Sequence, residues 1–265
     1  MLTINIIPPF QTAFTIHTNC QTLSEFLLLK YGKFATTSNS IADDVITAIK
    51  TAENYKVCYK DNQFFTKQPL QEIINIMRTN RVFNKNIFAI HGAAVAHNNE
   101  AYLFLAATTS GKTTLTGYLT TYGFGYLTDD CILLDRETFQ VYPFCTPIQL
   151  REGGYNILKD LDCLPNNIEF LNDILIKRYV YTPGNCVSAP LPLKKIFFIN
   201  RTENRDDLED MDATKRMISL LKSPITEYEL DRTYLEFISK LSKVPCQELY
   251  YCNMDYVAKV IQNEK

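Results

Sequence analysis

Apolar positions along the chain recur in two textures, and the change between them falls near residue 86. Before it, short apolar runs alternate with breakers. Leu2–Ile7 is closed by Pro8-Pro9, Thr22–Lys30 has helical spacing, Asp43–Thr51 is a further short run, and Tyr55–Tyr59 is β-like ahead of a Lys60-Asp61-Asn62 turn. Pro69 fits the first turn of a helix reaching about Arg81, because Leu70, Ile73, Ile74 and Met77 then share one face. Residues 1–85 are therefore expected to form a small α+β region, and no grouping of side chains within them points to chemistry.

From Phe88 onward the pattern becomes strand, turn, strand, glycine loop, helix, strand. Ile87–Ile90 and Ala93–His97 read as extended, Asn98-Asn99 as a hairpin turn, and Tyr102–Leu105 as a strand buried on both faces. Leu115, Tyr118, Leu119 and Tyr122 lie on one helical face that Gly123 can end. Phe124–Thr128 is the next extended segment, and Cys131–Leu134 with Phe139–Tyr142 frame a hairpin around Asp135-Arg136-Glu137-Thr138. The alternation predicts an α/β unit over residues 86–265, a mixed sheet with flanking helices.

Composition narrows the setting. With 265 residues, 46% of them hydrophobic, the chain can bury a large core without disulfides or a structural metal. Its 27 basic and 29 acidic residues leave a net charge of -2, which argues against nucleic acid or an acidic membrane surface as partner. No apolar run reaches the length of a membrane span, and Met1–Phe14 lacks the marks of a secretory signal, so a soluble cytoplasmic protein is expected. The eight cysteines form no C-x-x-C pair and read as reduced, partly buried hydrophobes. With only three histidines and no paired spacing, a zinc site is not expected.

Three segments carry candidate chemistry. The first is Ala106-Ala107-Thr108-Thr109-Ser110-Gly111-Lys112-Thr113-Thr114, set between a buried strand and an amphipathic helix. That context suits a phosphate-cradling loop, since backbone amides at a helix start point at an anion. Lys112 would reach the β- and γ-phosphates and the Thr113 hydroxyl would ligate Mg²⁺. Ala106 stands where G-x-x-x-x-G-K-[ST] has its first glycine. The second is Asp129-Asp130, at the end of the next strand and expected on the same sheet edge. One of these carboxylates can help hold Mg²⁺ while the other accepts a proton from an attacking hydroxyl, and the residues alone do not say which. The third is His91-Gly92, which by itself fits a core histidine equally well.

His91-Gly92, the loop and Asp129-Asp130, in this order and spacing, resemble the catalytic domain of HPr kinase/phosphorylase and the related peptide-serine kinases of lasso-peptide and other RiPP gene clusters. Pro147–Gly154, Leu191–Asn200 and the stretch from Val244-Pro245 through Tyr250-Tyr251 to a terminal helix extend the resemblance. It implies a P-loop kinase fold related to phosphoenolpyruvate carboxykinase, with ATP and Mg²⁺ used to phosphorylate a serine hydroxyl on a peptide or small protein. It further implies nucleotide contacts at Thr108, Thr109, Ser110, Gly111, Lys112, Thr113 and Thr114, and Asp129 as base with His91 orienting it or the acceptor. Metal would be held by Thr113, Asp130 and the weaker candidate Glu152, and the roles of Asp129 and Asp130 are exchangeable. Lys177-Arg178 are the cationic candidates for the transferring phosphoryl group, with a solvated turn as the equal alternative. The absent first glycine, and the lack of the glycine-rich region that contacts HPr, point to a small relative with a peptide acceptor; self-association is left open. The alternatives are a nucleotide-binding regulatory or scaffold protein with a degenerate loop, and a kinase or phosphorylase acting on a small molecule.

Overall fold

The computed structural model describes all residues except 38–41, 43, 82, 108–109, 174–175, 226–230 and 265. The N-terminal layer comprises β1 (Leu2–Ile6), β2 (Phe14–Thr18), α1 (Gln21–Tyr31), β3 (Ala35–Thr37), β4 (Asp44–Lys50), β5 (Tyr55–Tyr59), β6 (Asn62–Thr66) and α2 (Pro69–Thr79). Its strands form one sheet in the order β3-β1-β2-β4-β5-β6, with β2 and β4 parallel. A parallel pair needs a crossover, and α1 lies within that connection. Ile4, Ile16, Ile46 and Val57 from the strands meet Leu23 and Leu27 of α1 and Ile73 and Met77 of α2 in a single buried cluster. Pro69 occupies the first turn of α2 as the sequence predicts, but the helix stops at Thr79, short of Arg81. The reason is local: Thr79 donates to the Asn75 carbonyl at 2.9 Å and Asn80 donates to the Ile76 carbonyl at 2.8 Å, so side chains take the terminal acceptors. Arg81 is thereby left outside the helix.

The second unit opens with β7 (Ile87–Ile90), β8 (Ala93–His97), β9 (Glu100–Leu105), α3 (Lys112–Thr121), β10 (Gly125–Thr128), β11 (Ile132–Asp135) and β12 (Gln140–Tyr142). It continues with β13 (Ile148–Leu150), α4 (Glu152–Asp160), β14 (Glu169–Asp173) and β15 (Ile176–Tyr181), which make a small sheet of their own in the order β13-β15-β14. Then follow β16 (Leu191–Arg201), β17 (Asp207–Asp210), α5 (Ala213–Leu221), α6 (Arg232–Leu241), β18 (Cys246–Tyr251) and α7 (Met254–Gln262). The large sheet runs β10-β8-β9-β16-β12-β11-β7, with β18 added beside β16 and β17 beside β18. β16 lies parallel to both β9 and β18, while the other pairings are antiparallel, so the sheet is mixed.

Helices cover both faces of this sheet. Leu115 and Leu119 of α3, Leu158 of α4 and Val257 and Ile261 of α7 pack with Phe104 and Phe197 on one side. Leu220 of α5 and Phe237, Ile238 and Leu241 of α6 pack with Leu103, Leu105 and Ile196 on the other. Leu103, Phe104, Ile196 and Phe197 expose no surface, and each such burial contributes about 1.5–3 kcal/mol. Asn98 and Asn99 both adopt positive φ, at 51° and 61°, which is the geometry of the tight turn that joins β8 to β9.

The order of strands departs from the order of the sequence. β7 and β8 are consecutive in sequence but do not pair; β7 pairs with β11, and β8 stands between β9 and β10. The strand that precedes Asp129 is thus one place removed from β9, although both run in the same direction and end at the same edge. The N-terminal layer meets the second unit through Phe34 against Phe144 (ring centroids 4.8 Å apart), Phe10 against Tyr142 (4.5 Å) and a small cluster of Ile87, Ala89, Cys131 and Leu133. Among the described residues, no helix is long and apolar enough to cross a membrane.

Candidate functional site

The loop between β9 and α3 begins where a fully buried strand ends and a helix begins. Gly111 caps α3 at φ 92°, a left-handed conformation that a side chain would strain, and its carbonyl accepts from Leu115 N at 2.9 Å to start the helix. Lys112 is buried, and its ammonium donates to the carbonyls of Ala106 and Ala107, each at 2.9 Å. Burial lowers its pKa, opposed by the charges of Asp129 and Asp130. Ala106, the departure from the glycine pattern, stays outside the left-handed region, so its methyl adds no backbone strain and packs on the core. The Ser110 hydroxyl is buried without a partner. Thr108 and Thr109 lie outside the described residues.

Asp129, Asp130 and His91 occupy a gap in an antiparallel ladder. Ile90 pairs with Ile132 and Ala94 with Thr128, so segments 87–94 and 128–135 behave as two strands that hold one register and part in the middle. The same offset carried across the gap sets Gly92 opposite Asp130. A bulge at Leu127 precedes the gap; the Leu127 carbonyl accepts from Phe144 N at 2.8 Å, and Thr128 Oγ1 donates to the Cys131 carbonyl at 3.0 Å, closing the Asp-Asp turn. On the other side, His91 N donates to the Ser223 carbonyl at 2.9 Å. Gly92 is required sterically: a β-carbon there would lie 2.7 Å from Leu105 Cδ2 and 2.8 Å from the Phe104 carbonyl oxygen.

The two aspartates differ sharply. Asp129 is buried with Oδ1 unpartnered, whereas the Asp130 side chain is 76% exposed. Burial first, and the Asp130 charge second, push the Asp129 pKa up to about 8, against the pull of Thr113 and Lys112. His91 Nδ1 is 3.3 Å from the Asp130 carbonyl oxygen and 3.8 Å from its Oδ1. Burial lowers the His91 pKa, so the ring is neutral at pH 7.

These residues line a cleft of about 620 Å³ whose other wall belongs to the N-terminal layer. Lys30, Tyr31, Arg78 and Arg81 enter from that wall; Ser110, Gly111, Lys112, Thr113, Thr114, Arg151, Arg178 and Arg201 line the opposite side with His91 and the aspartates. Seven cationic side chains thus face two carboxylates. The N-terminal wall is tied down by a reciprocal contact: Lys30 Nζ donates to Gln149 Oε1 at 3.3 Å and Gln149 Nε2 to the Lys30 carbonyl at 3.4 Å. Arg81 approaches Cys131 Sγ at 4.0 Å, beside Asp130.

Of the residues singled out in the sequence, the fold brings His91, Ser110, Gly111, Lys112, Thr113, Thr114, Asp129 and Asp130 into this cleft, and Arg178 with them. Glu152 and Lys177 are exposed and do not line it, because the first turn of α4 and that edge of β15 leave them in solvent. Lys30, Arg78, Arg81 and Arg201 escaped the sequence reading; helical spacing placed Arg78 off the apolar face of α2, but nothing local says what that side chain faces. Among the described residues, no group of three His, Cys, Asp or Glu side chains could hold a metal. A nucleotide-borne Mg²⁺ needs fewer, one or two carboxylates besides phosphate and water oxygens. The buried unpartnered oxygen of Asp129 beside Thr113 fits that requirement.

No protein-family model matches the chain, and no curated protein matches it. Among solved structures it is similar to the HPr(Ser) kinase/phosphatase from Coxiella burnetii, with 10% identity over 66% of this chain and 94% of that one, at a TM-score of 0.34. At that level no residue role transfers, and what the cleft does has to be argued from its own side chains.

Proposed function

We propose that the cleft is the active site of a P-loop kinase of the HPr kinase type, in which residues 86–265 transfer the γ-phosphoryl group of ATP to a serine hydroxyl on a peptide or small protein. One observation carries the reading: Lys112 and Thr113 of a strand-to-helix loop meet, among the described residues, a buried carboxylate with an unpartnered oxygen in a cleft of about 620 Å³. The motif order His91-Gly92, loop, Asp129-Asp130 supports the choice of kinase class.

Residue roles follow from placement. Thr113 and Asp129 would hold Mg²⁺, which supplies neutralisation of charge on the phosphates. Asp130, exposed to the cleft with His91 against it, suits the base, so the two aspartates exchange the roles first expected of them. Asp130 takes the serine proton as the serine oxygen bonds to the γ-phosphorus; the bond from that phosphorus to the β–γ bridging oxygen breaks, and ADP carries away the electron pair. Lys112 turns from the Ala106 and Ala107 carbonyls to the phosphates, exchanging two neutral acceptors for charged ones.

That same lysine contact favours a second reading, a nucleotide-sensing protein whose loop stays closed on itself. Phosphate transfer to serine peptides from labelled ATP separates the two. Incorporation abolished in Lys112→Ala supports the kinase; nucleotide binding with no incorporation into any serine peptide supports the sensor.

A further inference from the structure

On the kinase reading the loop wall would take the triphosphate, and the cleft carries more cations than a metal-complexed triphosphate requires. The surplus is not spread evenly. Lys30, Arg78 and Arg81 come from the N-terminal layer and reach the acceptor side: Arg81 Nη1 stands 4.0 Å from Cys131 Sγ, next in sequence to Asp130, Lys30 feels the charges of Asp130 and Asp129, and the charge of Arg78 acts on His91. None of the three makes an ion pair within 4.0 Å among the described residues. Unanswered cations held together in a half-enclosed cleft repel one another, and an anion between them removes that cost. The wall that carries them is prebuilt, since the Lys30–Gln149 contact and the Phe34–Phe144 and Phe10–Tyr142 ring pairs fix it to the second unit.

Building on the kinase reading, we propose that the N-terminal layer is the acceptor-recognition wall, and that Lys30, Arg78 and Arg81 select a peptide with acidic residues beside its serine. The cations lie across the cleft from the phosphate loop, so they can engage carboxylates flanking a hydroxyl that points at Asp130. Acidic flanks also explain why the wall needs several separate charges: an extended peptide presents carboxylates on either side of its serine, spaced along the cleft. Arginine forks suit such carboxylates in a fixed geometry, which a lone lysine would not provide.

The test uses the full chain and two short fluorescent peptides that share one serine, one flanked by glutamates and one by lysines. Binding is followed by anisotropy with a non-hydrolysable ATP analogue and Mg²⁺ present. The wild type is expected to favour the acidic peptide by at least about tenfold, with the preference fading as salt rises. R78E/R81E should lose or invert that preference while the nucleotide analogue binds within about threefold of wild type. R78K/R81K, which keeps the charges, should retain most of the preference and shows that the double change folds. Equal binding of the two peptides by the wild type would overturn the proposal. So would loss of nucleotide affinity in R78E/R81E in step with the acidic peptide, which would assign these cations to the nucleotide. Acidic-peptide selectivity in a protein that binds no nucleotide would uphold the wall and overturn the kinase reading instead.

Discussion

The two walls of the cleft are made in opposite ways. The loop wall is contiguous: strand β9, the turn at Gly111 and helix α3 place Lys112 and Thr113 within a dozen residues, each forced by its neighbours. The N-terminal wall is assembled from the end of α1, the end of α2 and the residue beyond it, with Lys30 and Arg81 about fifty positions apart and both far in sequence from anything they face. On the proposed reading, the first kind of wall would hold the chemistry, and the second could vary its charges without touching it.

The comparison breaks most severely at Lys112. Lys112→Ala should lower phosphoryl transfer by two or more orders of magnitude, about 3 kcal/mol of barrier, measured as initial rate on a serine peptide. A folded variant with unchanged turnover would mean that the N-terminal cations already suffice. Asp130→Asn should cost about a hundredfold in kcat with nucleotide affinity kept, whereas Asp129→Asn should instead raise the Mg²⁺ concentration needed. Small and equal effects from both would return the pair to an ordinary turn. On the other wall, Arg81→Ala should act on KM for the acceptor, by about tenfold, and leave kcat nearly alone. A drop confined to kcat would move Arg81 to the loop wall's function.

A fifth change probes the scaffold between the walls. Gly92→Ala forces a methyl against Leu105 and the Phe104 carbonyl, and should cost about 1–3 kcal/mol, lowering the melting temperature by roughly 2–4 °C for each. The last change reads pH dependence at Asp129. Its folded pKa near 8 lies above the unfolded value of about 3.9, so the folded state holds a proton that the unfolded state releases. Its contribution to stability is complete below about pH 4 and is lost as pH rises through about 8. In nucleotide-free protein, Asp129→Asn should therefore flatten this slope and raise the melting temperature most near pH 8, with little gain near pH 4. An unchanged slope would show that Asp129 is ionised across this range.

How far each wall could be read in advance follows from the distance over which its determinants act. The β8–β9 turn was legible because Asn98-Asn99 tolerates positive φ, and the start of α2 because Pro69 suits a first turn. The strand-to-helix turn at Gly111 was legible because a buried strand, a glycine and an apolar helix face follow one another within a short stretch of sequence. The placement of β8 between β9 and β10 was not, since hydrophobic runs buried on both faces carry no trace of which neighbour they pair with. Nor were Lys30, Arg78 and Arg81, whose charges look like any solvated helix end until two sheets are docked.

The shared register of segments 87–94 and 128–135 limits how a molecule of this design can change over time. A residue added to or removed from either segment would turn one buried face outward and slide His91 away from Asp130, so the length of this stretch is frozen by the ladders on both sides of the gap. No comparable constraint binds the ends of α1 and α2. On the proposed reading, new acceptors would be acquired by point changes on a wall that is free to drift, with the chemistry held by a pair of strands that is not.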